Sequence, residues 1–232
     1  MIGIIDYGMG NLRSVEKAIE HLGGRCRILG RPEEAGGCSG IILPGVGAFA
    51  EAMNNLRAGG WVEAIREITD AGRPFLGICL GLQLLFSRSE EGRGDTGLDL
   101  LPGRVVRLPE TAGIIPHMGW NQLRLREPGP LFAGIAEGSY VYFVHSYVAV
   151  PADPAVIAAV TDYGGEFVSA VSRGNIHGLQ FHPEKSQAVG LKILENFLLI
   201  VGDGVGTCRP GRQDDFDPGS DSDFGTDAEP ER

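Results

Sequence analysis

The segment Gly77-Ile78-Cys79-Leu80-Gly81 joins the apolar run Pro74–Ile78 to the apolar run Leu80–Phe86. A nucleophile between two glycines, at the passage from strand to helix, is the elbow of hydrolases, here with a thiol in place of a serine hydroxyl. Each glycine removes a Cβ that would strike neighbouring chain, and the cysteine takes up the strain of the turn. A thiol at the first turn of a helix is favoured as thiolate by the positive helix end. The N–H of Leu80 has no acceptor within the helix and suits a developing oxyanion. The same residues also suit a small cysteine packed between strand and helix, so the reading needs a base.

The chain has five histidines. His21 lies on a helix flank and reads as surface. His182 ends the apolar strand Ile176–Phe181, which also carries His177, and Pro183-Glu184 follow it. The proline stops the ladder, and Glu184 returns to the side of His182, where its carboxylate can fix the imidazole tautomer. Cys79, His182 and Glu184 together read as a triad for nucleophilic attack on an acyl carbon. Leu43-Pro44-Gly45-Val46-Gly47 ends another strand, and a rotated peptide there would supply a second oxyanion donor. Gly45 to Ala50 also fits the G-x-G-x-x-A dinucleotide pattern. That pattern belongs to the first strand of its unit, before an acid-ended second strand, and is set aside.

The elements that must position these groups change character along the chain. Over the first 90 residues, Ile2–Ile5, Arg25–Leu29, Gly40–Leu43 and Pro74–Ile78 read as short buried strands. Helices marked by Leu12/Val15/Ile19/Leu22, Phe49/Met53/Leu56, Val62/Ile65/Ile68 and Leu80–Phe86 alternate with them. That alternation means βαβ units and a parallel sheet covered on both faces. Afterwards Val105–Leu108, Gln122–Leu125, Tyr140–Val148, Val156–Val160, Phe167–Val171 and Ile176–Phe181 read as strands, with a hairpin between the last two. A final helix follows Ser186. The expected fold class is α/β: a mixed, mostly parallel open sheet flanked by helices, with an antiparallel extension in the second half. Ligands bind such sheets outside the C-terminal strand ends, where the elbow, the His-Pro-Glu turn and the Gly45–Gly47 segment all fall.

The chain has 232 residues, with 43% apolar and 22% charged residues. That is ordinary globular usage and excludes collagen, coiled coil and wholesale disorder. The net charge of −10 argues against nucleic acid as a partner. No apolar run reaches the roughly 18–20 residues of a membrane span, and the opening MIGIIDYG has no signal-peptide features. Four scattered cysteines form no disulfide framework and no zinc pair. A cytoplasmic enzyme with reduced thiols, no metal and no cofactor is expected. Half the net charge lies in residues 207–232, with eight Asp/Glu against three Arg. Residues 1–203 are therefore expected to fold, and residues 204–232 to form a disordered acidic tail.

The segments LPGVGAF, GICLGLQLLF, FVHSY and GLQFHPEKSQ together resemble the class I, triad-type glutamine amidotransferases. The opening IIDYGMGNLRSV, the central HMGWN and FVHSYV narrow the resemblance to the glutaminase subunits of imidazole glycerol phosphate synthase, over about residues 1–202. The resemblance implies that Cys79 attacks the side-chain amide of L-glutamine, that His182 relays the proton, and that Glu184 orients His182. It implies an oxyanion hole from Leu80 and Gly45-Val46-Gly47, and a glutamine pocket from Gln83, His145, Ser146 and Tyr147. It also implies a heterodimer with a (β/α)8-barrel cyclase, which uses the ammonia to make imidazole glycerol phosphate and AICAR in histidine biosynthesis. Asn11, Trp120, Asn121, Tyr142 and Lys185 would face that partner. Trp120, between glycine and asparagine, is read as lying outside helix and strand, as an interface anchor does. Other readings remain: a glutaminase serving another synthase, a γ-glutamyl peptidase, or an inactive docking module on the same fold.

Overall fold

The computed structural model describes residues 1–92, 94–127 and 129–202; the acidic segment lies outside them. Four parallel strands form the centre: β1 (Ile2–Ile5), β3 (Gly40–Gly45), β4 (Phe75–Cys79) and β13 (Ile176–Leu179), with β2 (Cys26–Leu29) outside β1. Every residue of β1, β3, β4 and β13 is buried. They therefore read as continuous apolar runs rather than alternating ones.

Alternate side chains enter two cores. Ile5, Ile41, Leu43 and Phe75 pack with α2 (Phe49–Ala58) and α3 (Trp61–Asp70), around Met53, Leu56 and Trp61. Ile2, Ile4, Ile42, Leu76 and Ile78 pack with α1 (Leu12–His21) and α5 (Gln187–Val201), around Val15, Ile193 and Phe197. This is a sheet covered on both faces, as the sequence implies. The antiparallel extension is also present. β12 (Glu166–Arg173) pairs antiparallel with β13, and β10 (Tyr147–Pro151) and β6 (Leu101–Arg107) continue the sheet to β5 (Phe86–Ser89). β11 (Ile157–Asp162) pairs with β12 and with the two-residue β8 (Arg124–Leu125).

Three expectations are corrected. The helix read over Leu80–Phe86 is only α4 (Leu80–Leu84), and Phe86 opens β5. Leu80–Leu84 and Phe86 are all buried, so no polar face marks the end of the helix. The run Tyr140–Val148 is not one strand. It breaks at Ser146 into β9 (Tyr140–His145) and β10, which belong to different sheets. Finally, HMGWN is a strand: β7 (His117–Gln122) pairs antiparallel with β9, setting Trp120 opposite Tyr142.

Candidate active site

Parallel pairing brings the chemical groups to one edge of the sheet. Gly45 is in register with Cys79 on one side of β4, and Leu179 with Ile78 on the other. Cys79 therefore projects between the ends of β3 and β13, and the chain leaving β13 reaches His182 three residues later. A crevice of about 590 Å³ opens there, lined by Cys79, His182, Leu80, Val46, Gly47, Gln83, His145, Ser146, Tyr147, Asn11 and Lys185. Eleven of the residues singled out in the sequence thus share one cavity.

The elbow has the expected strain. Cys79 has φ 55° and ψ −109°, a conformation costing on the order of 1–3 kcal/mol for a residue with a Cβ. The flanking glycines permit it. A Cβ on Gly77 would lie 2.5 Å from the carbonyl oxygen of Gly81, and one on Gly81 would lie 1.9 Å from that of Leu43. Leu80 is the first residue of α4, so its N–H lacks an intrahelical acceptor.

His182 and Glu184 are almost wholly buried, and His182 Nδ1 lies 2.7 Å from Glu184 Oε1. The main chain around His182 is also fixed. Its N–H donates to the Tyr142 carbonyl at 3.0 Å, Ser186 Oγ donates to its carbonyl at 2.6 Å, and the Tyr142 N–H donates to Ser186 Oγ at 2.9 Å. Among the described residues, His182 Nε2 has no hydrogen-bond partner. Burial alone would depress the imidazole, but the Cys79 sulfur and the Glu184 carboxylate outweigh it and hold it well above its ordinary value. A buried histidine with a carboxylate behind it and a sulfur beside it favours its imidazolium form.

The Gly45–Gly47 segment lies against the elbow. A Cβ on Gly45 would fall 2.4 Å from Tyr7 Oη and 3.0 Å from Leu80 Cβ, and Gly47 has φ +98°. Tyr7 Oη is buried and, among the described residues, unpaired, and burial, together with the Cys79 charge, pushes the phenol up. Nothing in the spacing of Tyr7 marked it; only the packing does.

The residues expected to form a glutamine pocket behave differently from one another. Ser146 and Tyr147 line the crevice at the break between the two sheets. His145 lines it too, but both ring nitrogens are engaged. Nδ1 donates to the Tyr147 carbonyl at 3.0 Å, and Nε2 lies 3.0 Å from His117 Nδ1. The Gln83 amide nitrogen donates to the Tyr147 carbonyl at 3.0 Å and to Gln180 Oε1 at 3.1 Å. Glu91 was missed by the sequence reading. It lines the crevice while one carboxylate oxygen accepts the Phe49 N–H at 2.9 Å. No spacing rule joins it to the elbow.

Of the residues expected to face a partner, Trp120 and Tyr142 stand on one outward face with Met118 and Tyr140. Met118 is 62% exposed, Trp120 45% and Tyr140 54%. Asn121 is not on that face; its amide donates inward to the Asp162 carbonyl at 2.9 Å. Asn11 caps α1, its side-chain oxygen accepting the Ser14 N–H at 3.3 Å. Among the described residues, no cluster of His, Cys, Asp and Glu is arranged to hold a metal, and no helix is long and apolar enough to cross a membrane.

Residues 3–201 match the family described as glutamine amidotransferase class-I. Over 201 residues the chain is 58% identical to the imidazole glycerol phosphate synthase subunit HisH of Moorella thermoacetica, covering 86% of this chain and 95% of that one. It is 53% identical over 199 residues to HisH of Methanosarcina mazei, covering 85% and 97%. The fold also resembles that of PurLQS from Thermotoga maritima, with TM-score 0.68 and 21% identity over 86% of this chain and 98% of that one. A putative GMP synthase subunit from Thermoplasma acidophilum is similar, with TM-score 0.65 and 21% identity over 87% and 93%. On its sequence the chain belongs to the class-I glutamine amidotransferases and, within them, to the HisH subunits of imidazole glycerol phosphate synthase.

Proposed function

We propose that this chain hydrolyses L-glutamine to glutamate and ammonia through Cys79, His182 and Glu184, as the glutaminase subunit of imidazole glycerol phosphate synthase. The observation that carries this reading is the unpaired, buried Nε2 of His182 in the same crevice as Cys79. The Cys79 thiolate attacks the side-chain amide carbon of glutamine, and the carbonyl π electrons move onto oxygen. The Leu80 N–H and the Gly45-Val46-Gly47 segment stabilise that oxyanion. The C–N bond breaks as His182 Nε2 passes its proton to the departing nitrogen, leaving a γ-glutamyl thioester and ammonia. His182 then takes a proton from water, the hydroxide attacks the thioester, and glutamate and thiol are released. Glu184 holds Nδ1 throughout and supports the imidazolium. Gln83, Ser146 and Tyr147 bound the glutamine pocket. Glu91 offers a carboxylate to the α-ammonium group. His145 holds the Tyr147 carbonyl in place.

The ammonia goes to a cyclase subunit in the cytoplasm. Met118, Trp120, Tyr140 and Tyr142 form an apolar, aromatic face, which suits a heterodimer interface. No cofactor or metal enters any step. The test is glutamate release by the chain assembled with its cyclase. Cys79→Ala abolishes it while complex formation persists; an unchanged rate in that variant refutes the triad.

A further inference from the structure

His117 takes no part in the chemistry above. It lies outside the crevice, buried between Tyr163, 4.0 Å away ring to ring, and Phe143 at 4.9 Å. Its hydrogen bonds nevertheless belong to a chain in which each direction is forced. Asn121 Nδ2 donates to the Asp162 carbonyl, which fixes that amide with its nitrogen inward, 3.3 Å from His117 Nε2. An N–H donor there makes Nε2 the acceptor, so His117 carries its proton on Nδ1, facing His145 Nε2 at 3.0 Å. His145 must then carry its proton on Nδ1, which is what the Tyr147 carbonyl, an acceptor only, requires. The same carbonyl takes a second hydrogen bond from Gln83 Nε2, whose other hydrogen meets Gln180 Oε1. With its oxygen so engaged, Gln180 turns its amide nitrogen to Cys79 Sγ, 3.8 Å away. Gln180 is wholly buried.

Both histidines must be neutral for this chain to exist. Burial holds His117 down at about 4, and burial with the neighbouring His117 holds His145 at about 3.

We propose that Gln180 is the side-chain N–H donor that aims and stabilises the Cys79 thiolate, its orientation set by Gln83 and the Tyr147 carbonyl, and that His117 is a positioning residue that, through His145, holds that carbonyl in place. An N–H on sulfur favours the charged nucleophile; an amide turned the other way would set an oxygen against it. The proposal rests on the reading of Cys79 as nucleophile.

The experiment uses the assembled synthase carrying His117→Phe, His117→Asn, Gln180→Met or Gln180→Glu. It measures kcat and KM for glutamine, the rate of Cys79 alkylation by iodoacetamide as a function of pH, and the thermal midpoint. Phe keeps the ring stacking and loses the donor; Asn keeps an N–H at the Nδ1 position and loses the ring. The relay predicts opposite orders: Phe the more stable, Asn the more active. Misplacing a reacting group by about an ångström costs on the order of a hundredfold, so His117→Phe is expected to lower kcat by roughly ten- to a hundredfold, with His117→Asn recovering most of it. In both Gln180 variants alkylation shifts to higher pH. An activity order that follows stability, or alkylation unchanged in both Gln180 variants, overturns the relay. If His117→Phe does not fold, the Gln180 alkylation profiles decide alone. Cys79→Ala separates the two failures. Full glutamate release from it sinks the nucleophile itself, and the relay with it. A dead Cys79→Ala beside His117→Phe and Gln180 variants at wild-type rates sinks only the relay.

Discussion

A Cβ on Gly81 would stand 1.9 Å from the carbonyl oxygen of Leu43. α4 thus crosses β3 at a distance only glycine tolerates, and this contact presses the elbow against the Gly45–Gly47 segment. Gly81→Ala must push either α4 or β3 aside, and backbone on both sides leaves nothing flexible to yield. We expect loss of glutamate release and a fall in stability of about 3 kcal/mol or more. Gly30→Ala is the control, since nothing lies within 4 Å of the Cβ it would add. Urea unfolding of both variants checks the contrast.

Glu184→Gln keeps an oxygen near His182 Nδ1 and removes the charge. The imidazolium loses one of the two groups that raise it, so the thiolate loses its counter-ion. The expected result is a kcat lower by on the order of a hundredfold, with Cys79 alkylation moved to higher pH. An alkylation profile that superimposes on the wild type would show that the carboxylate does not support the pair.

Stability should fall on mild acidification, and the sign follows from the histidines. Burial holds His117 and His177 at about 4 and His145 at about 3, against 6.5 for a free ring. Below pH 6.5 the unfolded chain takes up protons that the native chain refuses, so this contribution is present above pH 6.5 and lost toward pH 4. His182 has the opposite sign: its contribution is full below pH 6.5 and lost as pH rises through its elevated native value. The imidazole of His177 hydrogen-bonds Ser172 Oγ at 2.8 Å, and its part of the acid loss is on the order of 3 kcal/mol. Urea midpoints between pH 7 and 4.5 should drop in the wild type and drop less in His177→Asn.

Trp120 meets Tyr142 edge to face at 6.0 Å on the outer side of the small sheet. In the proposed interface, an exposed aromatic of this kind adds to binding more than to folding. Trp120→Ala should weaken the complex with the cyclase by about 2 kcal/mol, roughly thirtyfold in Kd, and leave the thermal midpoint of the free chain unchanged. Calorimetric titration checks both, and an unaltered Kd would remove this face from the interface.

Residues 204–232 extend past the family match, which ends at residue 201, and past the end of α5 at Val201. A chain ending at residue 203 is expected to keep its thermal midpoint and its glutamate release.

The proposed triad residues stood out in the sequence by local signatures, glycines around Cys79 and a proline between His182 and Glu184, and the structure brings Cys79 and His182 to one crevice. The central sheet was legible because buried parallel strands are plain apolar runs. What escaped depends on contacts remote in sequence. The break at Ser146 leaves no trace in a run of apolar and aromatic residues on both sides; it is made where the Leu108 N–H donates to the Ser146 carbonyl at 2.9 Å. The strand through Trp120 was missed because glycine and asparagine flank the tryptophan, and pairing with β9 overrides both. The engagement of His145 was not legible either, because spacing cannot reveal that His117, 28 residues earlier, lies against its second nitrogen. Glu91 carries no motif of its own, and Gln180, although inside GLQFHPEKSQ, has no spacing that ties it to Cys79.

The main chain of His182 is tied to that of Tyr142, directly and through Ser186, while the outer side of the same strand faces solvent. The histidine is thus reachable from behind. A small molecule or antibody that tilts β9 from outside would disarm the enzyme without competing with glutamine, so raising the substrate concentration would not rescue activity.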